Sequence, residues 1–145
     1  MEVNAMLVDA VDEANGKLYV HGGGWSLWWA EAVPTVLPRL GIAAVVSVPY
    51  TSTNEPHPFT VHLLDEDGGV LALGETADGP VHRIQGEFNV GRPPELPPGD
   101  EQPVPIAVNL GGIVIPNVGR FAFVIEIDGI EEARLPFRVL LRPQQ

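Results

Sequence analysis

Four histidines, His21, His57, His62 and His82, are the first side chains in this sequence that could hold a metal or move a proton. A zinc site needs three or four ligands converging at about 2.0–2.3 Å, often with short local spacing. His57 and His62 stand close in sequence but straddle Pro58 and the start of a predicted strand. Alternation along that strand turns His62 outward with Thr60, whereas His82 shares a register with inward Ile84 and Phe88. Such histidines point apart, so the sequence assigns no metal and no cofactor. Asp65-Glu66-Asp67-Gly68 resembles a calcium loop only superficially: its acids are adjacent rather than alternating, and Thr76 stands where a bidentate glutamate is required. Asp9, Asp12 and Glu13 form a second acidic group. Ser26, Ser47 and Ser52 lack the Gly-x-Ser-x-Gly setting of a nucleophile elbow. No catalytic residue is assigned, and a non-catalytic protein is expected.

The aromatic group Trp25, Trp28 and Trp29, with Leu27 among them, is the candidate binding segment. Tryptophans bury large areas, anchor interfaces and stack on sugar rings. The alternative use of Trp25 is to plug the end of the core while Trp28 or Trp29 seals its side. At least one of Trp28 and Trp29 is expected to reach solvent, where Leu27 and Val33 would extend an apolar patch.

These residues need a scaffold, and composition bounds it. A chain of 145 residues has the size of one domain and buries about 68–70% of its unfolded surface. With 19 acidic against 8 basic residues the net charge is -11. Lys17 is the lone lysine and the arginines are scattered, which disfavours nucleic acid and anionic membranes. Cysteine is absent, which permits a reducing compartment. The start Met1-Glu2-Val3-Asn4 lacks a signal pattern, and the longest apolar run, Ile42 to Val48, falls far short of the roughly 20 residues of a membrane helix. A cytoplasmic protein is the expectation.

Sixteen glycines and 15 prolines punctuate the chain at the spacing of an all-β fold. The predicted strands are Ala5–Asp12, Lys17–His21, Arg39–Val48, Phe59–Leu64, Val70–Gly74, His82–Phe88, Val104–Leu110, Arg120–Ile127 and Arg134–Arg142, with Ile113–Ile115 as a short addition. Asn15-Gly16 and Asp128-Gly129 supply tight hairpin turns. Arg39–Val48 is apolar on both faces and belongs at the centre of a sheet. In the last strand Leu135, Phe137, Val139 and Leu141 face in, and Arg134, Arg138 and Arg142 face out. Helical periodicity is absent except for a short candidate at Ser26–Val33. The run Gly91–Pro103 is polyproline-like and is expected to stay out of the sheet as a long loop. Two apolar faces must cover each other, giving one domain over residues 1–145: a two-sheet antiparallel β-sandwich, immunoglobulin-like, of eight or nine strands.

Three segments carry a family resemblance. Asn4–Asp9, the block Gly16-Lys17-Leu18-Tyr19-Val20-His21-Gly22-Gly23-Gly24-Trp25, and His57–Asp65 resemble an uncharacterised bacterial family of small stand-alone domains common in actinobacteria. The ending Gly119–Gly129 followed by Leu135–Val139 is similar to the closing hairpin of immunoglobulin-like sandwiches. The resemblance implies a fold class and a bacterial source and brings no catalytic residues with it. The function expected is a structural or protein-interaction module with a protein partner, self-association included. The alternative is a small-ligand or carbohydrate binding domain with a tryptophan platform.

Overall fold

Both glycine hairpins fold as their sequences demand. Asn15 and Gly16 have φ of 53° and 74°, and Asp128 and Gly129 have 54° and 78°, the left-handed pair that matches the twist of a two-residue hairpin. The computed structural model describes residues 1–144. Among them lie fifteen strands, one short 3-10 turn at Tyr50–Ser52 and no α-helix. The strands are β1 (Glu2–Val8), β2 (Ala10–Ala14), β3 (Lys17–His21), β4 (Leu27–Ala30) and β5 (Thr35–Leu37). Next come β6 (Leu40–Val48), β7 (His57–Leu64), β8 (Val70–Leu71), β9 (Gly74–Thr76) and β10 (Gly79–Val81). The last five are β11 (Ile84–Phe88), β12 (Gln102–Leu110), β13 (Ile113–Ile115), β14 (Gly119–Ile127) and β15 (Ile130–Leu141).

The larger sheet has six strands in the order β11-β7-β14-β15-β4, with β8 added on β7. A three-stranded sheet runs β1-β6-β12, so the doubly apolar β6 is central, as its sequence predicts. Three two-stranded pieces, β2-β3, β5-β13 and β9-β10, complete the fold. One core joins the sheets: Leu7 and Ile42 from the smaller sheet pack in the same cluster as Leu63, Phe123 and Phe137 from the larger. Its centre is aromatic, with Phe137 stacked on Phe121 and on Phe123 at 5.6 Å between ring centres in each pair.

Several expectations need correction. The count of eight or nine strands is too low, because two- to four-residue segments pair as well. Ala5–Asp12 is not one strand. Around Asp9 the chain leaves one sheet for another, and the Asp9 N–H donates to the carbonyls of His21 (2.9 Å) and Gly22 (3.2 Å). The Ser26–Val33 helix is instead β4, paired in parallel with β15. A segment of so few residues cannot repay helix nucleation, and β15 offers it a ladder. The polyproline run ends sooner than expected, since β12 takes in Gln102 and Pro103, opposite Val48 and Ser47. β12 is an outer strand, the place in a sheet where proline is tolerated. His82 precedes β11 and is exposed rather than inward. Leu141 is 47% exposed, because it stands at the very end of β15.

The triple glycine is a site of close approach. Gly22 and Gly24 have φ of 63° and 88°. A side chain at Gly22 would collide with the Asp9 carboxylate, and one at Gly23 would meet the Met6 sulfur at 2.8 Å. The tract thus lets β3 fold back over the β1–β2 junction, where the Gly24 N–H donates to the Leu7 carbonyl at 2.8 Å. Asn109 then ties this hairpin to β12, receiving the Val11 N–H at 3.1 Å and donating to the Val11 carbonyl at 2.7 Å. Gly22→Ala should lower stability by about 1–3 kcal/mol, from the left-handed backbone and the clash together. Gly24→Ala meets open space and should cost only the backbone share, about 1–2 kcal/mol. Urea denaturation of both variants checks the ranking.

Candidate functional site

Strand alternation divides the tryptophan segment. On β4, Trp28 and Ala30 turn toward the core while Leu27 and Trp29 turn outward, 41% and 44% exposed. Trp25 precedes the strand and packs edge-on against Phe137, ring centres 5.5 Å apart. Its indole nitrogen is buried without a hydrogen-bond partner. Trp28 and Trp29 therefore lie on opposite faces and do not share a stacking platform. The four candidate residues make two features: Trp25 and Trp28 inside, Leu27 and Trp29 outside.

The inner pair borders a small cleft of about 160 Å³ that is also lined by Asp9, Leu37, Arg39, Leu40 and the flank of Leu27, which thus touches both features. The outer pair belongs to the exposed face of the larger sheet. There β4 is the last strand, and it runs beside β15 with Leu27 opposite Arg138 and Trp29 opposite Leu140. Proline sets where this ladder begins. The Arg138 N–H donates to the Ser26 carbonyl at 2.9 Å, whereas Pro136, two residues earlier on the same side of β15, has no N–H to give.

Sequence reasoning reads Arg134, Arg138 and Arg142 as one outward face but assigns them no role, and it does not bring Arg120 beside them. Arg120 and Arg138 are direct cross-strand partners on β14 and β15, both exposed. With Ser26, Pro136 and Phe137 they line a cleft of about 370 Å³. The signal of that face is spacing: Arg134, Arg138 and Arg142 recur every fourth residue, which on a strand means one face.

The histidines do not converge. Among the described residues, no group of three His, Asp or Glu side chains is placed to hold a metal ion. His57 is the buried one, 3% exposed. Its Nδ1 lies 2.8 Å from Asp128 Oδ2 and its Nε2 lies 2.7 Å from the Ser52 carbonyl. Both partners are acceptors, so the geometry requires both ring nitrogens to donate, which only the imidazolium can do. Burial alone would lower its pKa. The bond to Ser52, the bond and charge of Asp128, and the charge of Glu55 outweigh burial and raise it above the ordinary value of 6.5. His57 thereby fastens the 3-10 turn and the β14–β15 hairpin to the start of β7.

The Asp65–Gly68 stretch is a turn closed on itself, with Asp65 Oδ1 receiving the N–H groups of Asp67 (2.9 Å) and Gly69 (2.7 Å). The proline-rich connection is pinned near its start: Arg92 donates to Thr53 (2.9 Å) and to the Tyr50 carbonyl (2.7 Å), with its guanidinium 3.9 Å from the Tyr50 ring centre.

Fold and site together define an all-β protein that presents a tryptophan–arginine face on its larger sheet. The chain belongs to DUF6941, a family of unknown function, whose sequence model matches residues 4–140. No curated protein matches it. Among solved structures it is similar to a family 123 glycoside hydrolase from Clostridium perfringens, described for glycolipid glycan hydrolysis. Identity there is 12% and the TM-score 0.31, over 100% of this chain and 28% of the hydrolase chain. The chain thus spans little more than a quarter of that enzyme's length, and at such a score the likeness carries no argument about fold or activity. No helix among the described residues is long and apolar enough to cross a membrane.

The His57 geometry sets a pH dependence. A histidine whose folded pKa exceeds its unfolded value stabilises fully below the unfolded value and loses that contribution as pH rises through the folded one. The melting temperature should therefore fall as pH rises from about 6.5 through the raised value, and His57→Gln should flatten that slope. Thermal melts across this range, with NMR titration of the His57 ring, check both points.

Proposed function

We propose that this protein is a non-catalytic interaction module that docks a partner protein along β4 and the outer face beside it. The fold we assign to it is an immunoglobulin-like sandwich in which the three- and six-stranded sheets are the two layers. The setting we assign is the cytoplasm of a bacterium, an actinobacterium by the resemblance of its sequence blocks, and the cysteine-free sequence permits it.

One observation carries the reading. Open sheet edges invite pairing, and proteins usually blunt them with proline or charge. β12 carries Pro103 and Pro105, β11 carries Glu87, and β1 carries Glu2. β4 reads Leu-Trp-Trp-Ala, with neither proline nor charge, and, unlike the equally unblunted β5, β8 and β13, it exposes a tryptophan, Trp29, with Leu27 beside arginines. Exposed tryptophan next to arginine is the composition of binding hot spots. A second reading, small-ligand binding, is favoured by the cleft of about 160 Å³ between Trp25, Trp28, Asp9 and Arg39. That space is below the roughly 300–1,000 Å³ of most ligand pockets, so protein contact is the better supported use.

A photo-reactive phenylalanine placed at Trp29 should give discrete protein adducts in cells, while the same group at Val114, exposed on β13, should not. Trp29→Ser should leave the protein folded, lowering stability by about 1–2 kcal/mol, and weaken association by about 2 kcal/mol or more. Equal adducts from both positions, or none from Trp29, would overturn the reading. Light scattering across concentrations separates a second copy from a foreign partner.

A further inference from the structure

The outer face of the larger sheet gathers arginines that the sequence scatters. Arg134 and Arg138 project from β15, Arg142 follows its end, and Arg120 on β14 is the register partner of Arg138. Two of the four are neutralised: Arg134 by Glu131 at 2.8 Å and Arg142 by Glu31 at 3.2 Å. Neither Arg120 nor Arg138 forms an ion pair among the described residues. Glu66 is close, but it accepts the backbone N–H of Arg120 at 2.7 Å rather than the guanidinium. Directly opposed residues on neighbouring strands have Cβ atoms about 4.5–5.5 Å apart, and like charges there are destabilising. In a chain with 19 acidic residues against 8 basic, this pair has no direct ion-pair partner, and it lines a cleft of about 370 Å³ with Ser26 and Pro136.

We infer that this cleft binds carboxylates, and that its occupant is an extended acidic segment of a foreign protein. The inference rests on the interaction reading above and names the partner's chemistry. An arginine fork takes a carboxylate through two parallel N–H bonds, and two adjacent forks with the Ser26 hydroxyl suit closely spaced acids. Asp65 and Glu66 line the cleft on the far side of Arg120, so they repel a carboxylate there and direct it toward Ser26. Leu27 lies next to Arg138 and Trp29 next to Leu140, so acidic and apolar contacts occur within one strand's reach. A free anion would use only the arginines. A second copy docked face to face about a two-fold axis would set this arginine pair against itself. Nucleic acid would meet a chain of net charge -11.

The test uses a fluorescent extended peptide of alternating glutamate and valine, with its lysine–valine counterpart, inorganic phosphate and oligothymidine as competitors. The acidic peptide should bind in a salt-dependent way, and Arg120→Glu or Arg138→Glu should each weaken it about tenfold or more. Arg134→Gln and Arg142→Gln, at arginines already paired, should change it less than about threefold. Arg138→Glu also turns a like-charged cross-strand pair into an opposite-charged one, so the melting temperature should rise by about 1–3 °C. Loss of binding therefore cannot be read as unfolding. Three results would overturn the inference: unchanged peptide binding in Arg138→Glu, displacement by phosphate or oligothymidine at equal concentration, or a lowered melting temperature in Arg138→Glu. If adducts at Trp29 persist while the peptide fails to bind, the interaction module stands and its acidic partner does not. If the peptide binds through the arginines while Trp29 gives no adduct, the carboxylate cleft stands and the docking along β4 falls.

Discussion

Phe137 is the contact on which the rest of the structure depends. Its ring packs against Phe121 and Phe123 on neighbouring β14 and edge-on against Trp25 from the segment after the glycines. The first two contacts help fix the register of β14 against β15. The third holds the chain as it leaves the triple glycine, so that β4 enters beside β15 and pairs with it in parallel. Removing such a ring from a core typically costs about 3–5 kcal/mol. Here the loss would extend beyond the cavity, because the same ring positions the strand that carries Leu27 and Trp29.

A strand has two faces, and β15 uses them oppositely. Phe137 and Val139 are buried, while Arg138 between them is exposed. The inward set ties β15 to the core, and that anchorage gives the outward arginines fixed spacing. The arginine pair is unfavourable for the isolated fold, yet it is carried on a strand whose opposite face, at Phe137 and Val139, is buried in the core. A rigid element can hold like charges close together where a loop would let them drift apart, which is why such a pair makes sense here as a site.

What was legible in the sequence follows from the range of the forces involved. The hairpins at Asn15-Gly16 and Asp128-Gly129 were legible because a left-handed backbone is a local demand. Alternation exposed the faces of β7, β14 and β15, and the doubly apolar Leu40–Val48 betrayed its central place. β4 was not legible, since four residues carry no period and its strand state is conferred by β15, more than a hundred positions away. The inward reading of His82 failed for a related reason: alternation was extended past the point where β11 starts. The buried His57 was visible as a residue but not as a cation, because Asp128 and the Ser52 carbonyl reach it only in the folded chain. The tryptophans were found as a group, and only pairing with β15 shows that they split between core and surface. Arg134, Arg138 and Arg142 are legible as one outward face, but the place of Arg120 beside Arg138 depends on the β14–β15 register.

Proline marks both the closed and the open borders of the two sheets. Pro103 and Pro105 stand in outer strand β12, where a missing N–H discourages a further strand. Pro136 sits inside β15 instead, and there the missing N–H delays the ladder with β4 until Arg138. Before that point no strand is hydrogen-bonded along this flank of β15, and the cleft of Ser26, Arg120, Pro136 and Arg138 opens in that place. One proline thus ends a backbone ladder at the position where two unpaired guanidinium groups begin. The cleft is a consequence of strand geometry, and its charge is a consequence of register. Neither needs a flexible loop, so the face that we assign to a partner is preformed, and its ordering adds little to the cost of association.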